Sequence, residues 1–451
     1  MVEAALRRIE EIDAPASPIG LRSVLAVADR ALDEARESDR RRADGQKRGP
    51  LEGIPVIVKD NIEALGLPSC AGSTSLLGRP PTRDAPLVSR LRAAGAVVAA
   101  SANLSEWANI RSSRSTGGWS AVGGLTGNPW ALDRNAGGSS SGSAAAVAAG
   151  IVALAVGTET DGSITCPASL NGVAGLKPAV GAVSTGGVVP ISRSQDSPGP
   201  LARTAADAAL LFRVIAGRAL PPAGAPGGLV VAAAVTWRTG HPATDELFVR
   251  TVEKLREAGA EVRDVEAPIP SERDHDDELT VLLCELKDGL DAYLPTRGPV
   301  GPQSLAEVVA HEDALRAVEQ EWFGHDLFEK ALELGGCDSE RYRQARARNL
   351  AWARGCLETA LGGADVLVAP AYGPAWKSDL VLGGHPAAAA PTTMAPAVAG
   401  WPIATVPMGL AQGLPVGVSL IGRPGSEGLL LATGASLEAP ARPTWAPPQR
   451  G

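Results

Sequence analysis

Histidine and cysteine, the usual carriers of enzyme chemistry, are scarce in this chain: five of each among 451 residues. The histidines, His241, His275, His311, His325 and His385, sit far along the sequence in polar or loop-like stretches such as 273–277. None has a partner at metal-ligand spacing and no His-Glu-x-x-His pattern occurs, so neither a zinc site nor the usual general base is legible. The cysteines, Cys70, Cys166, Cys284, Cys337 and Cys356, form an odd, scattered set without Cys-x-x-Cys. That pattern implies reduced thiols in a cytoplasmic protein. Basic charge is also lacking: net charge is −8 and the pI ≈ 5.4, which argues against non-specific nucleic-acid binding. The one dense basic run, Arg40 to Arg42, reads as a solvated helix end. Long apolar runs are missing as well. The longest, Ala144 to Val156, falls short of the roughly 20 residues a spanning helix needs, and the first residues show no apolar core of a secretory signal. No membrane partner is expected.

What remains suits a soluble globular enzyme: 45% hydrophobic, 20% charged, mean hydropathy +0.04. Two Gly/Ser-rich stretches stand out, Gly137-Gly-Ser-Ser-Ser-Gly-Ser143 and Gly157-Thr-Glu-Thr-Asp-Gly-Ser163, joined by the apolar segment from Ala144. Small residues around a serine let backbone N–H groups approach a substrate oxygen and free the hydroxyl to face a pocket. Neither stretch reads Gly-x-x-x-x-Gly-Lys-Ser/Thr, so a nucleotide cradle is disfavoured.

Nucleophilic serines need a base, and the candidate is Lys59, in Gly53-Ile-Pro-Val-Ile-Val-Lys-Asp-Asn61. The β-branched run 54–58 predicts a buried strand. A lysine at its end loses hydration, and desolvation disfavours the ammonium form. The plainer reading is a strand-end lysine with its ammonium in water.

Taken together, these residues resemble the amidase signature hydrolases. The resemblance rests on the two serine loops, on Pro167, on Gly175-Leu-Lys-Pro178, and on the Gly-Ile-Pro-x-x-x-Lys-Asp pattern at 53–60. Carried over position by position, it implies Ser163 as nucleophile, Ser139 as bridging serine and Lys59 as base, a Ser-cisSer-Lys set. Backbone N–H groups at Thr160, Asp161, Gly162 and Ser163 would hold the oxyanion. It implies amide hydrolysis through an acyl-enzyme, without metal or organic cofactor. Within the family the chain is most similar to peptide amidases, which act on C-terminal carboxamides. The similar stretches include Asn103-Leu-Ser-Glu-Trp-Ala-Asn109, Pro190-Ile-Ser-Arg-Ser-Gln-Asp196, Glu285-Leu-Lys-Asp288, Trp322-Phe-Gly324 and Gly373-Pro-Ala-Trp376. One residue departs from the wider family. Asp161 stands where most members have Gly; Asp tolerates a left-handed backbone, and the residue reads as a subgroup marker. Cys166, three residues past Ser163, is expected to line or underlie the site and to be a poor nucleophile.

The organisation follows an α/β pattern. Residues 3–38 have helical spacing (Leu6, Ile9, then Leu25, Ala28, Leu32), 39–49 reads as an exposed loop, and helix 87–94 leads through Gly95 into strand 96–100. Helix–strand pairs recur at 252–258 with 261–265 and at 348–361 with 366–369. Residues 278–335 read as a mainly helical cap. Only 387–390 and the Pro-rich stretch from Ala439 are low in complexity. The resemblance implies a single domain over 1–451: a helical N-terminal region to about 45, a signature core over about 50–205, and a mixed central sheet flanked by helices. Trp107, Trp119 and Trp130 suit either a pocket for a bulky amide or, more ordinarily, core packing. The expected partner is a small-molecule or peptide amide. Three other readings stay open: the glutamine-hydrolysing component of an amidotransferase, a biosynthetic amidase on another small amide, and a non-catalytic binding relative. The last should have lost Lys59, Ser139 or Ser163, and all three are present.

Overall fold

The apolar runs of the sequence become strands of one eleven-stranded mixed sheet, seen in a computed structural model that describes residues 1–220, 227–385 and 388–438. In chain order the strands are β1 (Val24–Val27), β2 (Pro55–Lys59), β3 (Val97–Ala102), β4 (Leu154–Glu159), β5 (Ala174–Lys177) and β6 (Ser197–Ala202). They continue as β7 (Val230–Ala234), β8 (Glu261–Val265), β9 (Val366–Pro370), β10 (Ile403–Ala411) and β11 (Leu414–Ile421). The spatial order is β1-β3-β2-β4-β6-β5-β10-β11-β9-β7-β8. β2 runs parallel to β3 and β4, and β7 to β8 and β9. The other neighbours pair antiparallel.

A strand covered on both faces needs apolar residues at every position rather than at alternate ones, and β2 is buried throughout. Val56 and Val58 pack with Leu87, Leu91, Leu211 and Phe212 from the helices Pro86–Ala93 and Ala205–Ala216. Ile57 faces the opposite side, against Ala144 to Val147 of the helix Ser141–Ala148. Each fully buried aliphatic side chain contributes about 1.5–3 kcal/mol. The centre of this sheet is therefore a rigid support for whatever stands at the strand ends.

The expected helical region 278–335 holds the end of the helix Glu272–Tyr293 and the helices Leu305–Ala314, Arg316–Glu319 and Asp326–Leu334. Their apolar faces (Leu283, Leu286, Val308, Phe328) close over Cys70, Leu76, Trp107 and Ile191, in the loops around the strand ends. The pairs at 252–265 and 348–370 form as helix Pro242–Glu257 with β8 and helix Glu340–Leu361 with β9.

Two expectations are corrected. Helical spacing over 3–38 gives way at β1: the Asp13 carboxylate accepts from the N–H groups of Ser23 (2.8 Å) and Val24 (2.9 Å). That turn delivers 24–27 to the edge of β3 as an antiparallel strand. Leu25 therefore belongs to a strand and Leu32 to the next helix, a spurious helical repeat. The loop expected from 39 begins only at Asp44, because helix Ala31–Ala43 runs on. Arg40 to Arg42 fill its last turn, where cations suit the helix dipole, and Arg41 reaches the buried Glu52 at 2.8 Å. The stretch from Ala439, and Ala387 of the alanine-rich run, lie outside the described residues. Among the described residues no helix is long and apolar enough to cross a membrane.

Gly142 locks the first serine loop to this support. A Cβ there would meet the Asn103 carbonyl oxygen at 2.5 Å and its nitrogen at 2.7 Å, and would also overlap the Ser23 carbonyl. All three are backbone atoms that cannot move independently. Gly142→Ala should therefore cost about 3 kcal/mol or more, read as a lowered urea midpoint with an unchanged m-value. An unaltered midpoint would show that the loop is not clamped in this way.

Candidate active site

Lys59 ends β2, and the next residue pins the chain. The Asp60 N–H donates to Ala102 O at 3.1 Å, and its carboxylate accepts from the N–H groups of Cys70 (2.9 Å) and Gly72 (3.3 Å). The Lys59 side chain is wholly buried. Its Nζ stands 2.7 Å from Ser139 Oγ, 2.9 Å from Thr158 Oγ1 and 3.2 Å from the Thr158 carbonyl. Burial pushes its pKa down from 10.5 to about 7, against the opposing pull of Asp196 and Glu159. A neutral amine has two N–H bonds and one lone pair. With the Thr158 carbonyl taking an N–H, the lone pair is free to face the Ser139 hydroxyl, which is the geometry of a general base.

The first serine loop sorts its hydroxyls by partner. Ser140 Oγ donates to Thr158 O (3.0 Å) and accepts from Thr158 N–H (3.2 Å), and Ser143 Oγ donates to Val156 O (3.1 Å). Ser141 Oγ donates to Gly137 O (2.5 Å). Those three fasten the helix Ser141–Ala148 to β4 and to its own turn. Ser139 alone is left to Lys59. Its backbone is held too: the Gly138–Ser139 peptide is cis, and Ser139 O accepts from Ser105 N–H at 3.1 Å.

The second loop leaves β4 at Glu159, whose buried carboxylate accepts from the N–H groups of Ile164 (2.6 Å) and Thr165 (2.8 Å). Those bonds turn the chain into the helix Thr165–Asn171. The intervening Thr160, Asp161, Gly162 and Ser163 line a cavity of about 360 Å³. Among the described residues their backbone N–H groups donate to no protein acceptor, so they are available to an oxygen in the cavity. Gly162 carries the left-handed turn (φ 76), not Asp161 as the sequence suggested. A Cβ at Gly162 would meet the Tyr372 hydroxyl at 3.0 Å. The two loops are tied together by Ser140 N–H donating to Ser163 O (3.1 Å). The Ser163 hydroxyl makes no hydrogen bond to Ser139 here and stands at the cavity wall.

Asp161 lies partly exposed on that wall, and burial pushes its carboxyl up to about 6; Glu159 adds to the rise, while Thr393 and Lys177 oppose it. Cys166 also lines the cavity, its thiol pushed by burial up to about 12, so it is a weak nucleophile. Of the three tryptophans weighed from sequence, none lines the cavity. Trp107 and Trp119 are buried, Trp107 donating to Glu312 at 3.0 Å. Trp130 is part-buried and donates to Asn171 O at 3.0 Å. The cavity aromatics are instead Tyr372 and Trp376, the latter in a stretch that carries the family resemblance. Asn109, which ends another stretch that carries the resemblance, also lines the cavity, and Ser112 and Ser115 add polar groups that no sequence signal singles out. No histidine lines the cavity.

A family model described as Amidase matches residues 1–431. Among curated proteins, the chain is 36% identical to a "probable amidase" of Arabidopsis thaliana over 92% of this chain and 82% of the relative. It is 35% identical to a glutamyl-tRNA(Gln) amidotransferase component from Anaeromyxobacter, over 100% and 94%. Among solved structures, the native peptide amidase of Stenotrophomonas maltophilia aligns with a TM-score of 0.91 at 41% identity, covering 99% of this chain and 95% of that one. The same comparison gives 0.92 and 41% for a peptide amidase in complex with the competitive inhibitor chymostatin, covering 100% and 95%.

The burial of Lys59 should be visible in stability. Its folded pKa is depressed, so the penalty is fully present below pH 7 and fades as pH rises toward 10.5, where the unfolded lysine also loses its proton. Lys59→Met keeps the bulk without the amine and should be more stable than the parent at pH 7 by about 2–4 kcal/mol, less its lost hydrogen bonds. Denaturant titrations at pH 7 and pH 9.5 read this out. A gain that failed to shrink at the higher pH would contradict the depressed pKa.

Proposed function

The chain belongs to the amidase signature family and is an amide-hydrolysing enzyme; within that family we propose that it hydrolyses a primary carboxamide at the end of a peptide or acylated amino acid. The observation that carries the chemistry is the 2.7 Å contact between a fully buried Lys59 and Ser139. On this reading neutral Lys59 takes the proton of Ser139, Ser139 takes that of Ser163, and Ser163 Oγ bonds to the amide carbon. The negative charge on the carbonyl oxygen is met by N–H groups among Thr160, Asp161, Gly162 and Ser163. The C–N bond then breaks, the relayed proton leaves on ammonia, and water attacks the acyl-enzyme by the same base to release the acid.

The substrate class is supported by the cavity's charge. Among the described residues its lining contains no Lys, Arg or His, and its one ionisable carboxyl is Asp161. A substrate carboxylate would be desolvated there with no cation to pair it. Glutamine carries one; a peptide amide, whose terminal α-carboxyl is the carboxamide itself, does not. The apolar wall of Ile110, Ile191, Leu282 and Trp376 favours bulky neutral groups next to the amide. The five free cysteines fit the proposed cytoplasmic setting.

Ser163→Ala should abolish turnover and Lys59→Ala should lower it by several orders of magnitude, both proteins remaining folded. Ser139→Ala should be severe, with residual rate through a bridging water. The rate should rise with pH through about 7 and level off on the alkaline side, because protonation removes the base. Mass spectrometry on peptide amides, aryl amides and glutamine should show C-terminal peptide amides cleaved well above glutamine, with internal peptide bonds intact. A preference for glutamine would overturn the substrate class and leave the serine–lysine chemistry standing. A rate that peaked near pH 5 and fell above 7 would remove the lysine base.

A further inference from the structure

One fully buried side chain joins the long helix Glu272–Tyr293 to the loop that ends in Ser163, and the relay above makes no use of it. Gln195 Nε2 donates to Glu278 Oε1 at 2.9 Å and to the Thr160 carbonyl at 3.4 Å. Its own Oε1 is buried without a partner. Both groups facing Nε2 are oxygens, so the amide is set with its NH2 end toward Thr160. Leaving Oε1 unpaired costs free energy, and the contacts of the NH2 end hold the side chain in place regardless.

The consequence lies in the next peptide unit. A trans peptide directs the C=O of one residue and the N–H of the next to opposite sides, and the only cis bond among the described residues is Gly138–Ser139. Gln195 is not among the residues that line the cavity, so drawing the Thr160 carbonyl toward it turns the Asp161 N–H the other way, toward the space that 160–163 line. Thr160 is fixed at a second point, its Oγ1 donating to Asp196 Oδ1 at 2.6 Å. Asp196 in turn accepts from the N–H groups of Ile191 (2.9 Å) and Ser192 (3.0 Å). Glu278 is buried, and one turn further along its helix Leu282 reaches the cavity. Burial, reinforced by the Asp161 carboxylate, pushes the Glu278 carboxyl well above its ordinary value. A neutral carboxyl still offers the oxygen that Gln195 needs. Of the two bonds that Gln195 Nε2 makes, the one to Thr160 is the longer, 3.4 Å against 2.9 Å to Glu278.

We propose that Gln195 is a positioning residue: held by Glu278, it fixes the Thr160 carbonyl from behind and so aims the Asp161 N–H at the oxyanion. The inference rests on the reading of Ser163 as nucleophile and extends it from the donors to the group that orients them. Helix Glu272–Tyr293 thereby contributes to both substrate contact, through Leu282, and transition-state geometry, through Glu278.

The test uses the full chain and three probes: a peptide amide for kcat and KM, a peptide aldehyde that forms a tetrahedral adduct with serine, and the matching neutral peptide N-methylamide as a ground-state ligand. Gln195→Leu should lower kcat on the order of 10- to 100-fold, less than the roughly 10²–10³ that follows loss of a whole oxyanion donor. KM and N-methylamide affinity should stay near the parent's, while aldehyde affinity weakens by the same factor as kcat. Gln195→Glu keeps the size but faces the Thr160 carbonyl with an acceptor, and should behave like the Leu variant. Glu278→Leu should show the same loss, whereas Glu278→Gln retains the acceptor oxygen and should restore parental kcat. If Gln195→Leu fails to fold, Gln195→Glu and Glu278→Leu decide on the same readouts. Unchanged kcat and aldehyde affinity would overturn the inference, as would aldehyde and N-methylamide affinities that weaken together. Full activity in Ser163→Ala would instead remove the nucleophile reading, and this inference with it.

Discussion

The site depends on an amine buried without a carboxylate in contact. Desolvation alone drives Lys59 toward neutrality, and any acid at ion-pair distance would restore its charge. Two acids stand close enough to raise its pKa, Asp196 and Glu159, yet both are committed elsewhere. Glu159 spends its oxygens on the N–H groups that start the helix Thr165–Asn171. Asp196 is occupied by Thr160, Ile191 and Ser192. Desolvation wins, and the pKa settles near 7. Lys177 makes the contrast. It is equally buried and also depressed, to about 8, but its Nζ meets only the carbonyls of Trp401 (2.8 Å) and Pro178 (3.4 Å). Carbonyl oxygens have no proton to give. Of the two buried lysines, only Lys59 faces a hydroxyl.

The same economy of partners explains why a loop with four serines presents one of them. Ser140, Ser141 and Ser143 are consumed by backbone groups of β4 and of the loop itself. Gly157 lets that clamp close, since a Cβ on it would stand 2.6 Å from Ser140 Oγ. A site built this way is rigid before substrate arrives, which matters because small misplacements of reacting groups are costly.

Much of this was legible in the sequence where function coincides with local pattern. The β-branched run before Lys59 announced a buried strand, displaced by one residue from β2, and the Gly/Ser spacing announced both loops. Long-range pairing stayed invisible. Val24 and Val27 suit a strand, but the helical repeat around them masks it; the Asp13 side chain and the edge of β3 decide it. Nor could the sequence join Trp107 to Glu312, or Arg111 to Glu106, Glu319 and Phe323 O. That buried ionic cluster, with His325 on Glu312 at 2.9 Å, fastens the 305–334 helices to the loop 106–111. It absorbs the residues that composition alone left unexplained. Tyr372 and Trp376 reach the cavity from far along the chain, in the segment that follows β9.

Identity to the curated relatives does not separate the two enzyme readings, because an amidase and an amidotransferase component match the chain almost equally well, at 36% and 35%. The proposed substrate class rests instead on the electrostatics of the cavity. An amino acid such as glutamine brings two formal charges, and its carboxylate would enter a space where, among the described residues, the one carboxyl is Asp161 and no Lys, Arg or His lines the wall. Burial raises Asp161 to about 6; a second anion beside it would raise it further and force one of the pair to take up a proton. That cost falls on binding before any bond is made. A chain whose α-carboxyl is already an amide avoids it. Among the described residues no cation stands on the cavity wall, and that, more than any single contact, is what the proposal of a neutral peptide amide rests on.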